Sequence, residues 1–310
     1  MMHRVFTVSC YCCCSCNSAF DMLYLVLYAR KKSYTCLFTT YILGAAEKFK
    51  QQKNMTNSTE VQYFNLMMDL GEVDYAADIS QLDLKYYRWQ HHTMCEMIYM
   101  STSGTGFGNL AATVAEPFID KVRLSAKVTE INYEDVDNTI ISYTQNGVDK
   151  KVAAKTVLVT VSLGVLKANT INFVPSLPDW KLEVIEQTGF GAMNKIMMQW
   201  DNTDAMVWPY EQTWFELITP DDESSGRWTT FFNPTQFKGG VPTLVGWVGG
   251  DEAWTMEEQT DEEVLDDAMA NLNAMFPTIS KPDRVVVARW GKEENILGTY
   301  SYKVSEVLIL

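Results

Sequence analysis

Lys195 is the residue of this chain whose type and neighbours most clearly allow chemistry. It lies in the apolar run 193–200, Met-Asn-Lys-Ile-Met-Met-Gln-Trp, which predicts a β-strand. Because side chains alternate across a strand, Lys195 shares a face with Met193 and Met197. A lysine among apolar neighbours loses proton affinity, and its amine can then hold a water molecule or act as a base. The pattern alone leaves a second interpretation open, an edge-strand lysine whose ammonium reaches solvent.

Three aromatic residues near the end of the sequence form the second candidate group. Trp290 follows Ala-Arg, and Tyr300 and Tyr302 alternate in the segment Gly-Thr-Tyr-Ser-Tyr. The faces of aromatic rings exclude water and attract positive charge, so such rings can orient an amine or another cation. Packing in a core or an interface is the alternative role for the same residues.

A glycine-rich loop at 104–108 is the third candidate. Gly104, Gly106 and Gly108 follow an apolar segment and precede a predicted helix that runs to about Ile119. The order resembles a dinucleotide-binding βαβ unit, but the spacing is Gly-x-Gly-x-Gly and Asn109 occupies the place of the third glycine. Nicotinamide binding at this loop is therefore a hypothesis that the spacing disfavours.

The elements that must position these residues begin with a helical region from about residue 59 to residue 103. Short strands are then predicted at 122–124, 128–133, 140–143 and 152–161, separated by turns at 135–138 and 146–147. The end of the last of these strands, 156–161, is apolar on both faces, which is typical of a buried strand.

The second half of the sequence predicts one sheet and two helices. A helix is expected over Asp179–Gln187, with Gly189 as its stop. Strands at 193–200, 214–218, 228–232 and 244–248 are expected to form one sheet, and 285–290 predicts the last strand. A capping box begins at Thr260. The helix that follows carries an apolar stripe made of Val264, Leu265, Ala268, Leu272 and Met275.

Composition restricts the class of partner. The 310 residues are 47% hydrophobic, which is ample for a globular core in one or two domains. The net charge of −14 disfavours nucleic acid and suits a cationic ligand, although ordinary surface charge that maintains solubility is the simpler explanation. Six of the seven cysteines lie within residues 1–36, without the distant second Cys or His pair of a zinc site, so no metal is predicted. The apolar run 19–29 is too short to predict a membrane span.

Several motifs resemble, in order and spacing, those of the flavin-dependent amine oxidases, particularly polyamine oxidases and lysine-specific histone demethylases. They are Thr-Val-Ser-Leu-Gly-Val-Leu at 160–166, Gly-Phe-Gly-Ala-Met-Asn-Lys at 189–195, Ala-Arg-Trp-Gly at 288–291 and Gly-Thr-Tyr-Ser-Tyr at 298–302. The resemblance extends over roughly residues 60–303. It implies an α/β (α+β) fold, with a partial FAD-binding domain and a mixed-sheet substrate domain flanked by helices.

Resemblance and composition together predict five segments. They are a Cys-rich, poorly ordered leader at 1–56, a helical part of the substrate domain at 57–118, a partial FAD-binding domain at 119–168, the substrate-domain sheet and helices at 169–283, and a truncated return strand at 284–310. The family's N-terminal βαβ fingerprint is not found, and its closing strand and helix would lie beyond Leu310. Because such segments bind phosphate, this chain is expected to bind FAD weakly or not at all.

The resemblance also implies roles for residues at the reacting end of the flavin. Lys195 falls on the lysine that holds a water beside flavin N5, and Trp290 on the tryptophan that packs near the flavin. Tyr300 matches a tyrosine of the aromatic cage around the substrate amine, where it also borders the flavin, and Tyr302 is placed with it as a substrate residue. Relatives carry Asp-Pro-aromatic before this segment, whereas this chain has Glu-Asn-Ile at 294–296.

Four further residues are expected at the cofactor by the same resemblance. Val128 matches a valine whose backbone pairs with the adenine end of FAD. Thr160, Val161 and Ser162 precede the Leu-Gly-Val-Leu segment and are expected beside the cofactor, although a buried strand leaving the sheet would explain them equally well.

The function implied by the resemblance is FAD-dependent oxidation of a small-molecule amine or polyamine. Hydride would pass from the carbon beside a neutral amine to the flavin, the imine would hydrolyse, and oxygen would reoxidise the flavin with release of peroxide. The alternative hypothesis is a non-catalytic fragment or binding module whose acidic surface binds cationic partners.

Overall fold

The computed structural model describes residues 5–7, 58–78, 81–82, 108–218, 227–237, 239–302 and 304. The helices are α1 Ser58–Tyr75, α2 Gly108–Ala115, α3 Leu163–Lys167, α4 Asp179–Gln187, α5 Gly250–Met256 and α6 Asp261–Met275. The strands are β1 Val5–Thr7, β2 Ala126–Asn132, β3 Thr139–Gln145, β4 Val148–Ala154, β5 Asn172–Val174, β6 Gly189–Gly191, β7 Met193–Gln199, β8 Trp214–Leu217, β9 Thr230–Phe232, β10 Thr243–Gly249, β11 Arg284–Val287 and β12 Tyr300–Tyr302. Short 3-10 helices lie at Glu116–Lys121, Thr203–Ala205 and Thr235–Phe237.

The chain divides into two compact units. The first contains Met1–Glu96, Thr188–Glu293 and Gly298–Leu310, and the second contains Met97–Gln187 and Glu294–Leu297. The five segments predicted from the sequence stay predictions. Among the helices just named, none combines the length and the apolar character that crossing a membrane requires.

A six-stranded antiparallel sheet is the centre of the first unit. Its order is β1-β8-β9-β10-β7-β11, so the four strands predicted to share a sheet do so. One face packs on α6 and forms the main core, with Ile196, Met198, Phe215 and Phe231 at or near zero exposure. Burial of this apolar area supplies most of the driving force for folding this unit.

Helix α6 begins and packs as its sequence predicts. The Thr260 hydroxyl accepts a hydrogen bond from the Glu263 N–H, and the Glu263 carboxylate accepts one from the Thr260 N–H, which completes the capping box. The predicted stripe faces the sheet, since Val264, Ala268 and Leu272 are fully buried. The capping box therefore fixes where α6 begins, and the apolar stripe fixes which side of α6 faces the sheet.

The opposite face of the sheet is covered by α1. Val73 and Ala76 pack with Met193 of β7 and with the half-buried ring of Trp247 in β10. This second, smaller cluster lies on the face to which Lys195 belongs, because residues 193, 195 and 247 share that side of the sheet.

The second unit contains a four-stranded sheet of order β4-β3-β2-β5. Asn146 and Gly147 join β3 to β4 with φ of 52° and 74°, the paired positive values of a tight hairpin turn, as Asn-Gly predicts. Strand β5 pairs in parallel with the second half of β2, at Glu130, Ile131 and Asn132. The fold is mixed, and the predicted α/β (α+β) class is confirmed.

One predicted strand is wrong and another is confirmed only in part, since the strand predicted over 152–161 ends with β4 at Ala154. Residues 156–161 follow β4 without joining a sheet, and Leu158 is 86% exposed although a buried strand was expected. Residues 122–124 are also irregular, since the Val122 N–H closes the preceding helix on the Ile119 carbonyl and a turn at Ser125 leads into β2. An apolar run becomes a strand only where another strand pairs with its backbone, and no described strand does so here.

Candidate active site

Lys195 extends from β7 toward an aromatic ring. Its Nζ lies 4.2 Å from the centroid of the Trp247 ring on the neighbouring strand β10. Met193 beside it is buried, whereas Met197 is 44% exposed, so the apolar surroundings expected from alternation exist on one side only. Burial lowers the pKa of Lys195 below its ordinary value. The contact with the indole face acts in the opposite sense, because it favours the charged ammonium.

Lys195 is the end of a row of side chains that crosses four strands. Lys195 is opposite Trp247, Trp247 is opposite Thr230, and Thr230 is opposite Glu216. Because directly opposite residues point to the same face, all four share the surface that α1 covers. A lysine, an indole, a hydroxyl and a carboxyl group thus follow one another across the sheet.

Glu216 is a buried acid with a strongly raised pKa. Its carboxyl group accepts a 2.8 Å hydrogen bond from the Thr230 hydroxyl. Burial, with contributions from Asp74 and Asp69, raises the pKa of Glu216 to about 8, while the Thr230 hydrogen bond opposes the shift. This group is therefore largely protonated near neutral pH.

Tyr300 and Tyr302 lie on β12, which pairs with the glycine-rich β6. Tyr300 is opposite Gly191 and Tyr302 is opposite Gly189. The Tyr302 ring covers both glycines, and its hydroxyl donates a 2.6 Å hydrogen bond to the Gln81 side chain. Tyr300 is 44% exposed. The first tyrosine is thus accessible, while the second is held by its hydroxyl and ring contacts.

Carboxylates give the surroundings of the two tyrosines a negative potential. Burial raises the pKa of Tyr300, and Asp74 adds to the rise. Burial likewise raises the pKa of Tyr302, with Asp251 and Asp78 contributing in the same direction. A carboxylate that disfavours a phenolate favours a cation at the same place.

Trp290 lies on the turn that follows β11. The strand predicted over 285–290 ends at Val287, because the chain then leaves the sheet to bond with side chains at the end of β7 and α5. The Trp290 N–H donates a 3.0 Å hydrogen bond to the Asn194 side chain, and the Trp290 carbonyl accepts one from the Gly298 N–H. The indole is 38% exposed.

The structure places in neighbouring segments four of the residues selected from the sequence, which are Lys195, Trp290, Tyr300 and Tyr302. Their segments are joined by backbone hydrogen bonds from the Ala288 N–H to the Lys195 carbonyl and from the Thr299 N–H to the Gly191 carbonyl, at 2.9 and 2.7 Å. The motifs at 189–195, 288–291 and 298–302 are therefore adjacent in space within the first unit.

The other selected residues belong to the second unit. Val128 is half-buried in β2 opposite Tyr143 and precedes a bulge at Thr129. On the other side of β2, the described chain pairs only from Glu130 onward, which leaves backbone at Val128 open to a ligand. Thr160 is exposed and Val161 is half-buried.

Ser162 has a local structural role in the second unit. Its hydroxyl caps α3 by accepting a hydrogen bond from the Val165 N–H and donates one to the Ile296 carbonyl. The hydroxyl is thus already engaged, so a contact of Ser162 with a ligand would fall to its backbone or its remaining lone pair.

Sequence reasoning missed Trp247 and Glu216. Neither belongs to a motif, and their position beside Lys195 follows only from the strand order β8-β9-β10-β7. The glycine loop at 104–107 and the cysteines of the first 36 residues lie outside the described residues. Gly108 begins α2, and a side chain there would meet no atom within 4 Å.

The first unit carries the residue types that binding the ring end of a flavin requires. A flat aromatic ligand needs apolar surface with a few well-placed polar groups. Trp247, Trp290 and Tyr300 supply aromatic surface, and Lys195 supplies a half-buried amine. These groups suit a ring system with nitrogen and oxygen atoms at its edge.

Known proteins are similar to this chain over most of its length. The family model described as flavin containing amine oxidoreductase matches residues 27–306. Polyamine oxidase 4 of Oryza sativa subsp. japonica is 32% identical over 236 residues, which are 74% of this chain and 44% of that protein. Histone demethylase-like protein A of Aspergillus fumigatus is 30% identical over 203 residues, which are 60% of this chain and 18% of that protein.

Among solved structures, an engineered putrescine oxidase from a redesign of cofactor binding matches with a TM-score of 0.50 and 20% identity. The match covers 64% of this chain and 42% of that one. This likeness supports the fold. The chain spans less than half the length of these relatives.

The chain belongs to the flavin containing amine oxidoreductase family. Membership implies FAD as the cofactor, and the predicted family and cofactor are confirmed. The expectation that this chain binds FAD weakly or not at all stays a prediction. The roles predicted for individual residues stay predictions.

Proposed function

We propose that this protein takes part in the FAD-dependent oxidation of an amine of the polyamine class. The observation that carries the proposal is Lys195, a half-buried lysine of β7, which bonds with the Trp290 turn and directly follows β6, the partner of the Tyr300 strand. Among the described residues no carboxylate pairs with Lys195 to offset its loss of solvent, and lysines in that state concentrate at functional sites.

The chemistry divides between cofactor and chain. When bound, FAD would supply the acceptor for the hydride that leaves the carbon beside the amine nitrogen, and reoxidation by dioxygen, with two protons, would give hydrogen peroxide. Lys195 holds a water molecule at its Nζ or takes up a proton there, because its lowered pKa increases the fraction of neutral amine. Trp290 and Tyr300 exclude water and orient the substrate carbon.

The substrate class follows from charge around the tyrosines. Asp74 acts on Tyr300, and Asp78 and Asp251 act on Tyr302. A polyamine carries several amine groups. The reacting nitrogen must be neutral, while the other nitrogens remain charged ammonium groups. Carboxylates beside an aromatic pair favour such a ligand over a monoamine or an uncharged molecule.

The proposal is tested with the full chain, supplied with excess FAD and spermidine, by following release of peroxide. Replacing Lys195 with methionine keeps the length of the side chain and removes the amine. We expect the Lys195→Met variant to lose roughly 100-fold or more in rate, the usual loss when a proton-handling group is removed. Lys281→Met is the matched control, because Lys281 is an exposed lysine whose described partner is Asp266.

Two results would contradict the proposal. One is peroxide release that Lys195→Met leaves at the wild-type rate, and the other is an equal loss in Lys281→Met. Absence of peroxide in every sample, together with binding of spermidine, would favour the second candidate described next.

A cation-binding protein without catalysis is the second candidate. The carboxylates near Tyr300 and Tyr302 and the net charge of −14 favour a cationic ligand whether or not chemistry follows. Calorimetric titration with spermidine distinguishes the two, because this candidate predicts heat of binding without oxidation of the ligand.

A further inference from the structure

Asn194 is a fully buried polar residue in the middle of the lysine motif. It points away from Lys195, toward the core face of β7. Its amide nitrogen donates to the Ala253 carbonyl at 3.0 Å and to the Glu257 carboxyl group at 2.8 Å. Its oxygen accepts the Trp290 N–H at 3.0 Å. Buried amides are retained where each polar atom has a partner, and Asn194 meets that condition.

Glu257 is the partner of Asn194 and is also buried. The same carboxyl oxygen that accepts from Asn194 accepts the Gly291 N–H at 2.7 Å. The Lys292 ammonium donates to the Glu257 carbonyl at 2.6 Å. A Cβ atom at position 291 would lie 2.3 Å from the Trp254 ring and 2.6 Å from the second carboxyl oxygen of Glu257. Only glycine allows the turn to approach the end of α5 this closely.

Consecutive backbone N–H groups of the turn are thus held by two adjoining side chains. Trp290 is fixed through Asn194, and Gly291 is fixed through Glu257. Asn194 directly precedes Lys195, whose carbonyl accepts the Ala288 N–H. Two hydrogen bonds therefore join β7 to the Trp290 turn, one at the Asn194 side chain and one at the Lys195 carbonyl.

We propose that Asn194 and Glu257 are a positioning pair that fixes the Trp290 turn against the strand of Lys195. The pair acts through its neighbours, and its effect on the flavin rests on the proposed function. The Asn194 amide donates a hydrogen bond to the Glu257 carboxyl group, and this carboxyl group accepts the Gly291 N–H of the turn. Loss of either partner leaves a buried polar group unpaired.

The sharpest test swaps the amide and the carboxyl group between positions 194 and 257. Asn194→Asp keeps an acceptor for the Trp290 N–H, but it places a second oxygen against the Glu257 carboxyl group and the Ala253 carbonyl. Glu257→Gln keeps an acceptor for the Gly291 N–H and for Asn194. The double variant restores one donor between the two side chains, so it is expected to recover part of what Asn194→Asp loses.

Asn233→Asp is the matched control. Asn233 is also fully buried in the first unit, where its amide donates to the carbonyls of Pro209, Tyr210 and Gln212. Its replacement should lower the free energy of unfolding, as Asn194→Asp does, without touching the Trp290 turn.

The first measurement is amide hydrogen exchange of the turn 289–291 in the full chain without flavin. We expect Asn194→Asp to accelerate exchange there about tenfold, the double variant to reverse part of this, and Glu257→Gln and Asn233→Asp to leave it near the wild-type rate. If Asn194→Asp does not fold, Glu257→Ala carries the same expectation at Gly291. Unchanged exchange in the turn, or equal acceleration by Asn233→Asp, would overturn the proposal.

The second measurement uses the FAD-loaded chain and separates positioning from stability. Asn194→Asp should shift the absorption spectrum of bound flavin and lower kcat more than it raises KM, whereas Asn233→Asp should do neither. Equal effects of both variants on the spectrum would contradict a positioning role. A chain that shows the expected exchange pattern but oxidises no amine supports the positioning pair and contradicts the proposed function.

Discussion

At the scale of single residues, Glu216 gives the protein a pH-dependent stability. Its pKa of about 8 in the folded protein exceeds the ordinary 4.5, so between these values the folded state binds a proton that the unfolded state releases. The free energy of unfolding therefore falls as the pH rises through this window. The shift corresponds to a few kcal/mol at most, because each pKa unit is worth about 1.4 kcal/mol.

Glu216→Gln should remove this pH dependence. The glutamine oxygen can still accept the Thr230 hydroxyl, while the titrating group is gone. Urea unfolding at pH values below, within and above the window should show a flatter profile than the wild type and a more stable protein at the alkaline end. Glu211→Gln, on an exposed residue, is the control. A profile as steep in Glu216→Gln as in the wild type would assign the dependence to other groups.

The sequence predicted individual site residues where the pattern that marks them lies within one short segment. Alternation along 193–200 placed Lys195 on a face with Met193, and the motifs selected Trp290, Tyr300 and Tyr302. Trp247 was not predictable as the contact of Lys195, since it comes 52 positions later (247 − 195) and becomes a neighbour only through pairing of β10 with β7. Register between distant strands is set by the whole sheet and not by either segment alone.

At the scale of elements, β6 packs closely against the backbone just after the end of α1. A Cβ atom at Gly191 would lie 1.7 Å from the Ala76 carbonyl oxygen, and that overlap cannot be relieved by rotating a side chain. We expect Gly191→Ala to lower the free energy of unfolding by about 1–3 kcal/mol or more, as backbone overpacking does. It should also loosen β12, which pairs with β6 through Tyr300.

Thermal unfolding and exchange of the β12 amides test this expectation. Gly108→Ala is the matched control, because a Cβ atom there meets no atom within 4 Å. Equal stability of Gly191→Ala and Gly108→Ala would show that α1 does not pack against β6 as described.

Elements with their own end signals were predicted well. The capping box of α6 and the Asn-Gly turn between β3 and β4 fix local backbone geometry, and both lie where the sequence places them. The apolar run 156–161 has no such signal and depends on neighbouring strands, so its prediction as a buried strand is wrong. Apolar character indicates burial only when the rest of a sheet is present to provide it.

At the scale of the whole molecule, the net charge of −14 should govern binding of cations. Raising salt from about 0.1 M to about 1 M shortens the Debye length from about 10 Å to about 3 Å. Calorimetric binding of spermidine should therefore weaken markedly over this range, while binding of an uncharged diol of similar length should stay constant. Salt-independent binding of spermidine would assign recognition to contacts other than charge.

The family could be predicted from the sequence because its motifs are short and keep their order from 160 to 302. The arrangement of Lys195, Trp290 and Tyr300 around paired strands required the fold. The sequence could not place carboxylates such as Asp74 and Asp251 beside the tyrosines, because they come from separate helices and lie outside any motif.

The most direct test of the central claim is anaerobic mixing of the FAD-loaded chain with spermidine. Without oxygen, electrons that leave the amine remain on the flavin, so the yellow colour of the oxidised form should fade with spermidine and persist with the uncharged diol. Lys195→Met should fade far more slowly than the wild type. Flavin that stays yellow in the wild-type chain with spermidine would contradict the assignment of amine oxidation to this site.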